Sequence, residues 1–203
     1  MSKKLLLTLI VVAGALALLS SWASAGKQQL VAGTIEDLST EPFDCHEACG
    51  HLIAVADLGT FDAQMTGSLT ARVGQTYNDG GRGAVTVEIL GSSMRGYVEG
   101  LGETRLWLDR DRPLDGSFLR ENQPGTGFPA TQEMYSHLVL QTEALPGRTF
   151  RTLNPFSVRS ENLDSWPPSG ARFELMGTVE FEDVDTGEVV VTMSRGSAIV
   201  GGG

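Results

Sequence analysis

The stretch "FDAQMTGSLTARV", residues 61–73, decides the fold class. Apolar or small residues alternate with polar ones throughout it, so that one face carries Phe61, Ala63, Met65, Gly67, Leu69, Ala71 and Val73. A period of two is typical of a strand with one face on a core and the other in water. The pattern predicts one long strand over 61–73, with Gly67 marking a bend or bulge on its apolar face.

The same alternation returns near the C-terminus in "FELMGTVEFEDV", residues 173–184. Asp185-Thr186-Gly187 then predicts a hairpin turn before a last apolar run. Shorter strand candidates, separated by glycine-rich breaks, lie at 52–56, 84–90, 94–99, 105–109, 136–142, 148–153 and 156–160. No stretch after the N-terminal segment keeps a helical period, so we predict an all-β antiparallel domain, either a β-sandwich or a closed β-barrel.

The first 25 residues have the marks of a secretory signal peptide. Lys3 and Lys4 precede an apolar run over 5–19, and Ala23-Ser24-Ala25 supplies a small-residue cleavage site. The run is short of the roughly 20 apolar residues that span a bilayer, so we expect no stable membrane insertion after cleavage. The predicted organisation is a cleaved signal peptide at 1–25, one β domain at 26–200 and a flexible tail at 201–203, and the predicted location is secreted or periplasmic.

The charge balance argues against one class of partner. The chain has 25 acidic and 15 basic residues and a formal net charge of −10. Such a surface repels the phosphate backbone of nucleic acids, so we expect no nucleic-acid partner. An unidentified protein or a small molecule is the expected partner.

The segment "DCHEACGH", residues 44–51, holds both cysteines and two of the three histidines. In an exported protein it favours a Cys45–Cys49 disulfide on a short helical turn near residues 41–49. A zinc or copper site is the alternative, with ligands from Cys45, His46, Cys49 and His51 and with His137 completing the set. A reactive dithiol is a third interpretation. Apart from that metal ion, the sequence predicts no cofactor.

Residues 110–133 show no clear period, and they contain three prolines at 113, 124 and 129. A segment this long is a binding loop or lid, an inert packed loop, or disordered. If it binds a ligand, the candidate residues are Arg110, Arg112, Arg120 and Phe128. Trp166, followed by two prolines, is interpreted either as an exposed aromatic that stacks on a ligand or as a cap on the core.

No sequence motif identifies catalytic residues, which stay unknown at this stage. The chain lacks the G-x-S-x-G pattern of serine hydrolases and the lysine-containing loop that holds phosphates. The main hypothesis is therefore an exported, non-enzymatic β-domain that binds a ligand or partner or serves as a structural envelope or extracellular protein. One alternative is a barrel-type enzyme, isomerase-like or cyclase-like, with an interior site that leaves no local motif. The other is a metal or thiol-redox protein that uses the segment from Cys45 to His51.

Overall fold

A computed structural model describes residues 35–42 and 51–201, with side chains from 52 to 200. These ranges contain fifteen β-strands and no helix, which confirms the all-β class. The strands are β1 Ile35–Pro42, β2 His51–Val55, β3 Gly59–Ala63, β4 Thr66–Asp79, β5 Arg82–Val98, β6 Gly102–Leu108, β7 Phe118–Glu121, β8 Ala130–Ser136, β9 Leu138–Thr142, β10 Phe150–Thr152, β11 Phe156–Leu163, β12 Ala171–Leu175, β13 Val179–Asp183, β14 Val189–Arg195 and β15 Ser197–Gly201.

All fifteen strands form one antiparallel sheet in the order β3-β2-β14-β13-β10-β9-β6-β5-β4-β1-β15-β12-β11-β8-β7. The sheet as a whole is not closed. Its last strand, β7, also pairs with the first half of β5, from Ala84↔Arg120 to Thr86↔Phe118. The part of the sheet between β5 and β7 therefore curls back on itself, while the remaining strands continue from the second half of β5.

The sheet is accordingly organised in two lobes that share β5. The first lobe comprises β1, β4, residues 82–90 of β5, β7, β8, β11, β12 and β15. The second lobe comprises β2, β3, residues 91–98 of β5, β6, β9, β10, β13 and β14. Each lobe has its own apolar core; the buried residues of the first centre on Leu69, Val87, Met134, Trp166 and Phe173, and those of the second on Ile53, Leu106, Phe150, Phe181 and Met193.

A bulge in β5 turns the strand over between the lobes. Thr70 pairs with Gly91 and Ala71 pairs with Ile89, so Leu90 has no partner across the ladder. An extra residue reverses which side chains face inward. Val87 consequently belongs to the core of the first lobe, and Val98 to the core of the second.

Near the bulge, two glycines allow neighbouring segments of backbone to approach each other closely. A Cβ atom on Gly67 would lie 1.9 Å from the carbonyl oxygen of Ser93, and one on Gly96 would lie 2.2 Å from that of Gln64. Because both obstacles are backbone atoms, no side chain fits at either position. The predicted special role of Gly67 is thus explained by the close approach of β4 and β5.

Several predicted strand boundaries are wrong. The run 61–73 is divided between β3 and β4 at Gln64-Met65, and the run 173–184 between β12 and β13 at 176–178, where Gly177 has a φ of 95°. The candidates at 84–90 and 94–99 are one continuous strand, since a bulge interrupts the alternation of side chains without ending the pairing. The hairpin turn at Asp185-Thr186-Gly187 is confirmed, because the Gly187 amide donates to the Asp183 carbonyl over 2.8 Å.

Two other segments differ from expectation. Residues 110–133 contain β7 and the start of β8, so part of the predicted loop is built into the sheet. Its apolar residues Leu119 and Ala130 are buried in the core of the first lobe, which explains why these parts of the segment form strands. Glu41 and Pro42 end strand β1, contrary to a helical turn beginning there, and residues 43–50 lie outside the described part of the chain.

Candidate functional site

The two cores approach each other around the bulge of β5 and leave a cavity between them. Ile89 precedes the bulge and Ser92 and Met94 follow it, and all three line this space. We call it the junction cavity. Its other lining residues are Leu69, Met134, Ser136, Leu138, Phe156, Val158, Phe173, Ala198 and Val200.

The junction cavity is small and partly open to solvent. Water-sized molecules can occupy about 60 Å³ of it, within a recess of about 580 Å³ that includes some open solvent. The smaller volume has room for a few water molecules. A larger ligand fits only if the lining side chains move. Met94 and Met134 are suited to this because an unbranched thioether side chain repacks easily.

The lining is apolar except for two hydroxyl groups. Ser92 lies opposite Leu69 in the β4–β5 ladder, and Ser136 lies opposite Phe156 in the β8–β11 ladder. Among the residues whose side chains are described, 52–200, no charged side chain lines the cavity. The arrangement therefore suits an apolar molecule that the two hydroxyls can orient.

A polar side chain lies beyond one end of the cavity. Along β8 and β11 the facing pairs are Ser136↔Phe156, Met134↔Val158 and then Gln132↔Ser160. Gln132 is two residues from Met134 on the same face of the strand, a step of about 6.7 Å. It is 0% exposed, and neither its Oε1 nor its Nε2 has a hydrogen-bond partner within the described ranges.

An open groove lies next to the cavity, and Ser92 borders both. Water-sized molecules can occupy about 560 Å³ of the groove, against about 60 Å³ of the cavity. The charged residues of the groove largely neutralise one another. Asp109, which is 3% exposed, has its Oδ2 3.5 Å from Nε of Arg151, and the Nη2 of that arginine is 3.4 Å from Asp111 Oδ2. Trp107 and Arg110 also line the groove.

His137 links the two lobes, since it stands between β8 and β9. Its Nδ1 is 3.0 Å from Thr152 Oγ1, and its carbonyl accepts a hydrogen bond from the Asp109 amide over 2.8 Å. Burial, with a further contribution from the positive charge of Arg112, holds the pKa of the imidazole below its ordinary value. A lowered pKa favours the neutral imidazole. His137 is not among the residues that line the junction cavity.

The structure places the four predicted binding residues of the 110–133 segment away from the junction cavity. Arg110 is exposed beside the groove, and Nη1 of Arg112 donates to the carbonyl of Thr152 over 2.7 Å. Arg120 forms a 2.6 Å ion pair with Asp79. Phe128 is half-buried in a separate recess. Their predicted role in binding stays a prediction.

Trp166 is 3% exposed and belongs to the core of the first lobe, so it is not the exposed aromatic that one interpretation expected. Cys45, His46 and Cys49 lie outside the described residues, and only the backbone of His51 is described, as the first residue of β2. The disulfide, the metal site and the dithiol therefore stay predictions. Within the described ranges, no group of three His, Cys, Asp or Glu side chains is placed to hold a metal ion.

Sequence reasoning missed the residues of the candidate site. Ser92 and Ser136 are ordinary serines in a strand pattern, and only the curvature of the sheet brings them to one cavity. Gln132 carried a usable signal: in "ATQEM", residues 130–134, it alternates with Ala130 and Met134 on an otherwise apolar face. Assigning these positions to a loop concealed that signal.

No helix in the described ranges has the length and apolar character needed to cross a membrane.

Comparison with known proteins identifies a fold and no family. No family model matches the sequence, and no curated protein matches it. Among solved structures, the chain is similar to DynF from the dynemicin biosynthesis pathway of Micromonospora chersina, with a TM-score of 0.68 and 17% sequence identity over 85% of this chain and 82% of that chain. At this identity the likeness shows the fold alone.

The similarity to DynF corrects the main functional hypothesis. We expected a non-enzymatic binding domain or structural envelope or extracellular protein, largely because the sequence contains no catalytic motif. The same architecture occurs in a protein of a biosynthesis pathway, so this fold does not single out a structural envelope or binding domain, and that hypothesis is not retained. The junction cavity is assembled from residues on seven different strands, so no local sequence motif marks it.

Proposed function

We propose that this protein is a barrel-type enzyme that takes an apolar small molecule into the junction cavity and promotes its isomerisation or cyclisation. The observation that carries the proposal is the cavity itself, which lies between two cores and is apolar apart from Ser92 and Ser136. The similarity to a protein of a biosynthesis pathway supports an enzymatic use of such an interior.

The proposed chemistry matches what these residues can supply. A small apolar cavity holds a flexible molecule in a small number of shapes and brings its reacting atoms together, which replaces part of the entropic cost of the reaction. The hydroxyls of Ser92 and Ser136 orient a polar atom of the substrate. Isomerisation and cyclisation rearrange bonds within one molecule, so the product has the composition of the substrate and neither an oxidant nor water is consumed.

Export belongs to the same proposal. The N-terminal pattern of Lys3, Lys4, the apolar run over 5–19 and Ala23-Ser24-Ala25 supports a secreted or periplasmic enzyme. In that compartment a Cys45–Cys49 disulfide is the expected state of the two thiols. The acidic surface supports a small-molecule substrate rather than a nucleic acid.

The test compares the wild-type protein with a cavity-filling variant, Met134→Trp. Both proteins are incubated with a lipophilic extract of the organism that encodes the chain, and the extract is followed by liquid chromatography and mass spectrometry. We expect wild-type protein to convert a compound into a product of identical mass and different retention time. Met134→Trp is expected to lose this conversion, because the indole occupies the cavity.

Two further variants control the experiment. Tyr97→Trp places the same indole on the surface, where Tyr97 is 71% exposed, and is expected to keep full activity. Ala198→Leu fills the cavity by a smaller volume, in case Met134→Trp does not fold. A compound that binds wild-type protein and dissociates unchanged, with no conversion in any fraction, would overturn the enzymatic proposal.

A further inference from the structure

Gln132 is a buried amide for which the described part of the chain supplies no hydrogen-bond partner at either polar atom. Its side chain is 0% exposed, and its neighbours on the same face of β8 are the apolar Ala130 and Met134. Leu119 faces it across the β7–β8 ladder and Ser160 across the β8–β11 ladder. Within the described ranges, both its amide oxygen and its amide nitrogen lack hydrogen bonds.

Such a side chain is costly for stability alone. Burying an amide without hydrogen bonds is unfavourable, and an apolar residue of similar volume removes that penalty. Many equivalent inward positions of this core are apolar, such as Ala71 and Val87. A glutamine here is therefore explained better by a ligand than by folding.

The position of Gln132 relates it to the junction cavity. The cavity is lined by the Ser136↔Phe156 and Met134↔Val158 pairs, and Gln132↔Ser160 is the next pair along the same two strands. A molecule that displaces the flexible Met134 side chain and advances by one such step, about 6.7 Å, reaches the amide. Ser160, 4% exposed, adds a hydroxyl at the same level.

From these observations we infer that Gln132 binds the polar end of the substrate, which is an apolar molecule whose leading end carries a neutral hydrogen-bonding group. The inference rests on the proposed use of the junction cavity and adds the chemical class of its ligand. A primary amide accepts and donates side by side, so the best partner is a group that also does both, such as a carboxamide or a hydroxyl. A carboxylate is disfavoured, because none of the described lining side chains carries a positive charge to compensate its burial.

The experiment compares three probes of similar length: decanamide, which donates and accepts; 2-decanone, which only accepts; and decane, which does neither. Their dissociation constants are measured by displacement of a fluorescent apolar dye, with wild-type protein and with Gln132→Met. The quantity of interest is the ratio of the dissociation constants of decane and decanamide. We expect Gln132→Met to lower this ratio at least tenfold, because each lost hydrogen bond changes affinity severalfold. The corresponding ratio for decane and 2-decanone should fall by a smaller factor, because 2-decanone only accepts.

A matched control and a second readout separate this role from a structural one. Gln75→Met changes an exposed glutamine of the same lobe and is expected to leave the ratio unchanged. Without ligand, Gln132→Met is expected to raise Tm by about 2–4 °C, since it removes an unsatisfied buried amide. A fall in Tm would instead mean that Gln132 is a structural residue and would overturn the inference.

The failure of this inference is distinguishable from the failure of the proposed function. If none of the three probes binds wild-type protein, or if Met134→Trp does not reduce binding, the junction cavity is not the site and both fail. If the probes bind in a manner sensitive to Met134→Trp but the ratio is the same in wild type and Gln132→Met, the cavity stands as the site and only the role of Gln132 is overturned.

Discussion

The two lobes share a strand and a sheet, yet their interiors are built differently. The second lobe is filled by large side chains with no exposed surface, among them Ile53, Leu106, Phe150, Phe181 and Met193. The first lobe has smaller residues at many inward positions, such as Ala71, Val73 and Ala130, and it contains the unsatisfied Gln132. The junction cavity lies where the two cores meet, whereas the buried amide without a partner belongs to the first lobe.

This difference teaches how a single sheet can be both stable and able to bind. Close packing supplies dispersion contacts and excludes water, so the second lobe can support the marginal stability of the whole domain. The fold then tolerates a cavity between the cores and a buried amide in the first lobe, each of which reduces stability. We expect stability to be concentrated on one side of the β5 bulge and ligand recognition on the other.

The largest effect is expected from removing a large side chain in the second lobe. Phe181→Ala deletes a ring with 0% exposure and should lower the free energy of unfolding by about 3–5 kcal/mol, measured by urea denaturation. The comparison is Met134→Ala in the first lobe, which should cost about 2 kcal/mol, near the lower limit for such truncations, because Met134 already borders a void. Equal losses for the two variants would show that the lobes do not differ in packing.

A smaller loss of stability is expected where strands β4 and β5 approach each other closely. Gly67→Ala places a methyl group against the Ser93 carbonyl and should lower the free energy of unfolding by about 2–3 kcal/mol, by the same measurement. Gly91→Ala is the matched control: its new Cβ would meet only the side chain of Thr70, at 3.8 Å, so the cost should be below about 1 kcal/mol. If Gly67→Ala were as mild as Gly91→Ala, the two strands would not be held in close contact at this point.

The smallest effect is expected from protonation of His137, which joins the lobes. Because burial lowers its pKa in the folded protein, the unfolded chain takes up the proton first as the pH falls. The stability that His137 contributes is therefore present above its unfolded pKa of about 6.5 and is lost as the pH falls through the lower folded value. Wild-type Tm should decline from pH 7 to pH 5.

His137→Asn provides the control for that decline. Asparagine retains a polar group near Thr152 but does not titrate, so the variant should have a lower Tm at pH 7 and a flatter dependence between pH 7 and pH 5. Scanning calorimetry at a series of pH values measures both. The same slope in both proteins would assign the pH dependence to groups other than His137.

The sequence was a good guide to the type of structure and a poor guide to the candidate site. Alternation in 61–73 and 173–184 identified strands correctly, because a half-buried strand must repeat every two residues. It misjudged where strands end, since the bulge at Leu90 and the break at Gln64-Met65 depend on pairing with distant residues. It also directed attention to residues 44–51, where reactive side chains are adjacent in the chain, and away from Gln132.

What the sequence determined by itself was local: the β class, the hairpin turn at Asp185-Thr186-Gly187 and the absence of a helical period follow from neighbouring residues. Tertiary structure alone decided that residues on β4, β5, β8, β9, β11, β12 and β15 meet around one cavity. The physical reason is that alternation specifies which face of a strand is buried but not which partner covers it. The bulge in β5 and the two glycines at the close approach of the chain set the course of the sheet. That course determines which strands cover one another and leaves Gln132 next to the junction cavity.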